Sequence, residues 1–461
     1  MEKKYRLFIA IFLLITLFSS TLQAAALTPE PRLEAEGAIL ADMVTGEVLF
    51  EKAADRKLYP ASTTKILTCL LALERLDLEK IITIDVSVPK TEGNNIGLKE
   101  GEEVSVRELL YAMMTESSND SAQALAIAMA GNTEAFADMM NERALLCGAT
   151  QSHFVNPHGL HDPLHVSTAR DLALIAAECM KSDLFRELVS TAQYTMRATN
   201  KNGPRTLKNT NRLLWDEQDK TRIYVNGTLR YCKYKDCIGI KTGYTSHAQG
   251  CLVSAAERDG SAFVAVVLKS GDLGRFADSI ALLDWGFENY KTVTVLEEGT
   301  SLGKIKVRRG AVNKVEAIPE KLIAGTVPIE ASESVLSTEI MLDPHVRAPL
   351  EAGQKIGEIE LFEGSNRIAV FSAVAATDIA KGGFLSIFGI QDATASIIKK
   401  VLVVLSVALL AWLTVYIIVK RREVKRKKEE RARRLREKRA QEEARRREWD
   451  QKYESRYWDD R

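Results

Sequence analysis

The stretch Pro60-Ala61-Ser62-Thr63-Thr64-Lys65 leads into a run of mixed apolar character, residues 65–78, that reads as a helix. A serine at the start of a buried helix lies where the helix end adds positive potential, which favours an oxyanion. A lysine three residues later shares its face and can reach the serine hydroxyl. Alone, Ser62 is as well explained as a helix cap and Lys65 as a solvated lysine. Two further motifs follow at domain-sized spacing, Ser117-Ser118-Asn119 and Lys241-Thr242-Gly243. Each alone is an ordinary turn or strand end, but in this order the three supply the parts of a serine acyl-transfer site.

Around the motifs the pattern is α+β. Ala38-Ile39-Leu40-Ala41-Asp42 and Glu47-Val48-Leu49-Phe50 flank Thr45-Gly46 and read as a β-hairpin. Residues 106–112, 122–130, 133–146 and 168–179 carry helical character, with Ser117 to Asp120 on the loop between the first two. Ser167 or Thr168 caps the last of them. Residues 238–241 form a short strand with Lys241 at its end; 250–256 and 262–268 are further strands, and 276–287 is a closing helix. A helical cluster set on one antiparallel sheet follows, over residues 25–290. Residues 291–383 then alternate in short segments such as Val293-Thr294-Val295 and Ile356-Gly357-Glu358-Ile359. They read as a small all-β domain, without a nucleophile or a phosphate loop, that serves as stalk, spacer or docking module.

The ends of the chain place this body outside a membrane. Lys3, Lys4 and Arg6, the apolar run 7–18 and Ala24-Ala25-Ala26 have the layout of a signal peptide over residues 1–24, too short in its apolar part for an anchor helix. After a linker, 384–400, residues 401–419 are apolar apart from Ser406 and Thr414 and suit one membrane span. Lys399-Lys400 and Lys420-Arg421-Arg422 bracket it. The tail, 420–461, has 19 basic and 11 acidic residues, about +8 net, which directs it to the cytoplasm. The whole chain is only +1, so the body before the tail is acidic.

Six cysteines are present, an even number in a compartment that permits disulfides. Cys69 and Cys179 lie in apolar helical stretches as buried thiols. Cys232 and Cys237 bracket Lys233-Tyr234-Lys235-Asp236, and geometry decides whether a disulfide clasps that loop. His153, His158, His161 and His165 lie close together, but their Pro- and Gly-broken segment lacks the spacing of a zinc site, so neither metal nor cofactor is expected. The mixed-charge stretch 425–447 is a solvated helix or a disordered segment, with anionic lipid head groups within reach below the span. Nucleic acid is not an expected partner, because Trp449, Tyr453, Tyr457 and Trp458 cluster at the end and do not interleave with the bases.

The chain resembles a low-molecular-weight penicillin-binding protein of the D-alanyl-D-alanine carboxypeptidase type. The three motifs carry the likeness, together with Phe154-Val155-Asn156-Pro157-His158-Gly159-Leu160, Ile240-Lys241-Thr242-Gly243-Tyr244-Thr245, Leu283-Asp284-Trp285-Gly286-Phe287 and Leu350-Glu351-Ala352-Gly353-Gln354-Lys355. It covers roughly residues 37–383 and implies a penicillin-binding/β-lactamase-like transpeptidase domain. It also implies removal of the terminal D-alanine from peptidoglycan stem pentapeptides through an acyl-enzyme on Ser62, with β-lactam antibiotics as covalent inhibitors. Lys65 is then the base, provided that burial and the charge of Lys241 keep it neutral. Ser117 relays a proton to the leaving group and Asn119 bonds the substrate amide. The backbone N–H groups of Ser62 and Tyr244 form the oxyanion hole. Thr242, Gly243, Tyr244 and Thr245 line the substrate, and Arg275 resembles a carboxylate-orienting arginine, the alternative being that it merely caps or salt-bridges its helix.

Two features depart from the family pattern. A full apolar span stands where some relatives carry an amphipathic helix, and Tyr244 stands where several carry histidine. The same motifs also serve β-lactamases, penicillin receptors that deacylate slowly, and endopeptidases. Against a class A β-lactamase, residues 154–170 offer no glutamate in an E-x-x-x-N setting.

Overall fold

The computed structural model describes residues 28–216 and 221–458, so the signal-peptide expectation for 1–24 lies outside the described residues. The chain forms two compact units. One holds the residues up to Thr300 with Lys321–Glu339 and Ile359–Phe371; the other holds Ser301–Glu320, Ile340–Glu358 and the residues from Ser372.

The first unit is built on an antiparallel sheet of five strands: β1 (Gly37–Asp42), β2 (Val48–Lys52), β3 (Cys237–Thr245), β4 (Gln249–Arg258) and β5 (Ser261–Ser270). Their order is β2-β1-β5-β4-β3, which leaves β3 at an edge. Side chains alternate across a strand, and here both faces are apolar. Ile39, Val253, Ala255, Val264, Val266 and Leu268 face a core made with the helices, whereas Leu40, Leu252, Phe263, Ala265 and Val267 face a second core. Helices α1 (Lys65–Arg75), α2 (Val106–Thr115), α3 (Asn119–Ala130), α4 (Thr133–Leu146), α5 (Ala169–Cys179) and α6 (Asp183–Ser190) contribute to the first core. Helix α7 (Gly274–Asn289) covers the other face through Phe276, Ile280, Leu283 and Phe287. Each such large side chain, fully buried, contributes about 1.5–3 kcal/mol, which is what allows polar groups to be buried between the helices and β3.

Three local readings need correction. Lys241 lies in the middle of β3, not at a strand end, because pairing with β4 continues from Lys241↔Val253 through Thr245↔Gln249. Asn119 is the first residue of α3 and not part of a loop; Ser118 caps that helix by accepting a hydrogen bond from Ser121 N. Thr168, not Ser167, caps α5, accepting from Asp171 N.

The C-terminal part is β-rich, with β6 (Gly303–Lys306), β7 (Lys314–Pro319), β8 (Leu336–Leu342), β9 (Lys355–Glu363) and β10 (Asn366–Ala375) in the order β6-β7-β10-β9-β8. The second unit has its own core, including Val307, Val315, Val346, Leu350, Ile356 and Ile379. The expected linker 384–400 is largely structured. A short turn, Phe384–Phe388, precedes α8 (Asp392–Trp458), a single helix of 67 residues. No glycine or proline interrupts it, and ion pairs one turn apart support its charged half, Glu423–Lys427 at 3.0 Å and Arg433–Glu437 at 3.0 Å among them. The charged stretch is thus helical rather than disordered. Its apolar part is long and apolar enough to cross a membrane, by length and composition. Within it the Ser406 and Thr414 hydroxyls donate to Leu402 O and Leu410 O, which satisfies both without water.

Candidate active site

The turn before α1 is held under strain. Ala61 has φ +48°, in a region that non-glycine residues rarely occupy. Thr63 Oγ1 donates to Pro60 O at 2.7 Å, and Ser62 beside it is half-buried. The loop 153–168 lies against this segment. Gly159, at φ +83°, passes so close that a Cβ there would sit 1.8 Å from Ala61 O, so only glycine fits.

Lys65 is fully buried. Its Nζ lies 3.0 Å from Ser62 Oγ, 2.6 Å from Asn119 Oδ1 and 2.8 Å from the carbonyl oxygen of His158. Burial first, then the charge of Lys241, holds the amine well below the usual lysine range, with Asp120 opposing. A neutral amine has two N–H donors and one lone pair. Asn119 Oδ1 and the His158 carbonyl accept only, so they take the two donors and leave the lone pair for the Ser62 hydroxyl proton. That is the arrangement a general base needs.

Around Asn119 the chain is organised by Asp120, which has no role in the motif reading. The Asp120 carboxylate accepts from Ile96 N at 3.3 Å, Leu98 N at 3.0 Å and Ser121 N at 2.9 Å, which ties the loop before β-strand Glu103–Ser105 to the start of α3. Asn119 Nδ2 donates to Glu92 O at 2.7 Å on the same loop. Ser117 has φ +64°, a second strained residue at the site. Its hydroxyl has no hydrogen bond among the described residues.

Strand β3 brings the third motif. Gly243 packs against the turn that holds Ser62: a Cβ on it would lie 2.9 Å from Pro60 O and 3.1 Å from Ser62 N. Lys241 is buried, its pKa brought down to about 7 by burial and then by the Arg275 charge. The cations therefore act in series, Arg275 on Lys241 and Lys241 on Lys65. Thr242 Oγ1 lies 2.6 Å from Thr210 Oγ1. Thr245 Oγ1 accepts from Ala248 N at 2.9 Å, and the Tyr244 side chain is 57% exposed. Arg275 donates from Nη1 to Gly243 O at 3.1 Å and pairs with Asp272 through Nη2 at 3.0 Å, while Nε is buried without a partner among the described residues. Hydrogen bonds thus join Ser62, Lys65 and Asn119 in one cluster and Arg275 with Gly243 in another, and charge links them through Lys241. Ser117, Tyr244 and Thr245 have no side-chain hydrogen bond to either cluster among the described residues.

The histidines have other work. His165 Nδ1 accepts from Val155 N at 3.2 Å and its Nε2 meets Thr64 Oγ1 at 2.8 Å; His158 Nδ1 accepts from Leu160 N at 3.3 Å. His161 stacks on His247 with centroids 3.8 Å apart. Burial brings the pKa of His158 to about 3 and that of His165 to about 4. In the unfolded chain both return to about 6.5, so the unfolded state binds more protons below that pH. Their contribution to stability is complete above pH 6.5 and falls on acidification through this window. The thermal midpoint should drop between pH 6.5 and 5, and His165→Asn, which retains an acceptor for Val155 N, should flatten that slope. A midpoint flat across the window would refute the assignment.

All six cysteines are free thiols, including Cys232 and Cys237. Cys237 Sγ is turned toward Gly239 O at 3.3 Å, away from a disulfide geometry.

Residues 23–271, more than half of the chain, match the family described as D-alanyl-D-alanine carboxypeptidase. The chain belongs to that family. Residues 290–381 match the penicillin-binding protein 5 C-terminal domain. Among curated relatives of this carboxypeptidase family, DacC of Escherichia coli is 31% identical, covering 80% of this chain and 90% of that protein. DacF of Bacillus subtilis is 30% identical, covering 78% and 89%. Penicillin-binding protein 5 of Haemophilus influenzae superposes with a TM-score of 0.61 at 29% identity, covering 77% of this chain and 100% of that one.

For this family member, the sequence missed three parts of the site: Asp120, Thr210 and the His158 carbonyl. Asp120 adjoins a motif and carries a charge, so it was open to suspicion. Thr210 sits in Asn209-Thr210-Asn211 with no pattern to mark it, and a backbone carbonyl leaves no sequence signal at all.

Proposed function

We infer that this protein is a serine-type D-alanyl-D-alanine carboxypeptidase that is acylated by penicillins. One observation carries the reading: a buried lysine whose two donors are taken by carbonyl acceptors and whose remaining lone pair faces a serine hydroxyl. Ser62 Oγ attacks the carbonyl carbon of the penultimate D-alanine as Lys65 takes its proton. The N–H groups of Ser62 and Tyr244 receive the oxyanion. The C–N bond then breaks, and Ser117 passes a proton to the departing nitrogen. Water hydrolyses the ester and frees Ser62. Asn119 positions Lys65 through Oδ1 and keeps its second Nδ2 hydrogen for the substrate carbonyl. Lys241 lowers the pKa of Lys65, while Thr242, Gly243, Tyr244 and Thr245 present the edge of β3 to an extended peptide.

In this reading residues 1–24 are a signal peptide, 25–290 the catalytic domain, 291–383 the β domain and 384–400 the approach to a span at 401–419. The catalytic domain is extracytoplasmic, and the basic tail 420–461 is cytoplasmic. The charge asymmetry across the apolar stretch supports this orientation. Stem peptides, β-lactams and membrane lipid are the partners.

The deciding experiment incubates the full chain with a D-Ala-D-Ala pentapeptide and with penicillin. Release of D-alanine together with a finite adduct lifetime is expected; an adduct without turnover would move the receptor reading ahead. Carboxypeptidase specificity rests on Arg275, whose N–H groups are only partly used. Arg275→Ala should lose about 1.5–3 kcal/mol of charge-assisted contact, roughly 10- to 150-fold in kcat/KM on the free acid. An amidated peptide should be turned over slowly by the parent and be nearly indifferent to the substitution. Equal turnover of free acid and amide by the parent would favour an endopeptidase.

A further inference from the structure

Five cations, Lys306, Arg308, Arg309, Lys314 and Arg347, line a cavity of about 560 Å³ in the second unit, and no acidic side chain lines it with them. All five are exposed, and none forms an ion pair among the described residues. The backbone sets them against one another. Lys306 and Lys314 are direct partners in the antiparallel β6–β7 ladder, and Arg308 and Arg347 are partners in a parallel bridge. Like charges directly opposite in a sheet are destabilising. Next to them Arg309 has φ +59°, again a conformation that costs energy in a residue with a side chain. Two like-charged pairs and a strained arginine around one hollow without an acidic side chain favour an anion there.

The surroundings decide which anion. The cavity wall is completed by Ser386 and Ile387, from the turn in which Phe384, Ile387 and Phe388 are 76%, 54% and 70% exposed. That turn runs into α8, whose start is fixed to the same unit: Asp392 N donates to Ala311 O at 3.0 Å, and Gly383 N to Asp392 Oδ1 at 2.9 Å. Five residues on, about 8 Å along the helix, come Ile397 and Ile398, then Lys399-Lys400 and the apolar stretch. This rise is the depth of a headgroup layer. A soluble phosphate accounts for the cations but leaves the exposed aromatic rim without a purpose.

The geometry points to a binding site for the phosphate headgroup of an anionic phospholipid, with arginine forks on the phosphate and Phe384 and Phe388 at the acyl boundary. The inference rests on the reading of 401–419 as a membrane span, and the test separates the two. The full chain and an Arg308→Gln/Arg309→Gln/Arg347→Gln variant should both float with phosphatidylcholine vesicles. Failure of the parent to float would overturn the span, and the lipid site with it. In neutral detergent holding equal amounts of phosphatidylglycerol and phosphatidylcholine, native mass spectrometry should find phosphatidylglycerol retained with at least tenfold preference. The triple variant should lose that preference, whereas Lys425→Gln/Arg426→Gln/Lys427→Gln in the tail should keep it. A preference that survives the triple variant overturns the site. Displacement of the lipid by inorganic phosphate or soluble poly(glycerol phosphate) at millimolar concentration would make the ligand a soluble anion and overturn the lipid assignment. Without anionic lipid, the triple variant should melt at or above the parent's midpoint, because repulsion is relieved. A lower midpoint would assign the cations to folding and also overturn the proposal.

Discussion

Ser62→Ala should abolish covalent labelling by a fluorescent penicillin and all release of D-alanine, with the fold retained. The serine is half-buried, and its Oγ makes one hydrogen bond among the described residues, with Lys65 Nζ. Removing one oxygen opens no core cavity. Lys65 keeps the Asn119 and His158 acceptors, so its amine is not stranded. What is lost is the one hydroxyl bonded to the buried amine among the described residues, and with it the ester that both reactions require. Intact-protein mass spectrometry after penicillin treatment, beside a thermal melt, checks the outcome. A penicilloyl adduct on the alanine variant would remove Ser62 from the mechanism.

Lys65→Met is expected to cost about 10²–10⁴-fold in acylation rate, the usual range for deleting a general base. Methionine approximates the length and volume of the lysine stem, so the fully buried site stays filled. It supplies neither the lone pair nor the two donors. The Asn119 and His158 acceptors lose a partner, which costs some stability. Lys65→Arg should do no better, because a guanidinium cannot take the proton at any working pH. Single-turnover acylation by a chromogenic β-lactam measures the loss, and a rate within threefold of the parent would exclude Lys65 as the base. The midpoint of the methionine variant separates this loss from unfolding.

The sheet and most helices were legible because two patterns are clean: short, nearly unbroken apolar runs bounded by turns in β1, β4 and β5, as strands buried on both faces require, and capped helical runs such as Thr133–Leu146, with Asn132 accepting from Ala135 N. The site was legible where chemistry needs a fixed side chain, as at Ser62, Lys65 and Lys241. It was illegible where the backbone acts, as at the His158 carbonyl, or where a residue serves through tertiary contact, as Asp120 does on the loop from Ile96 to Leu98. Arg275 shows a different limit. The sequence offered a carboxylate clamp or a salt bridge, and the side chain makes the Asp272 pair while also bonding the Gly243 carbonyl. The Cys232–Cys237 spacing allowed a bridge that strand β3 does not form, since pairing direction and not loop length aims the Cys237 sulfur.

Burial of the two active-site lysines also settles how the protein meets changing ionic strength. Counter-ions screen charges that water reaches, over about 8 Å at physiological salt. Lys65 and Lys241 are 0% and 1% exposed, so dissolved salt cannot enter between them to weaken the effect of one on the other. In the proposed mechanism, the proton transfer from Ser62 to Lys65 would therefore run on an internal field that the surroundings cannot dilute. The five cations of the second unit all face solvent and have no such shelter. Added salt should therefore weaken the proposed headgroup contact while leaving the interaction between the two buried lysines intact.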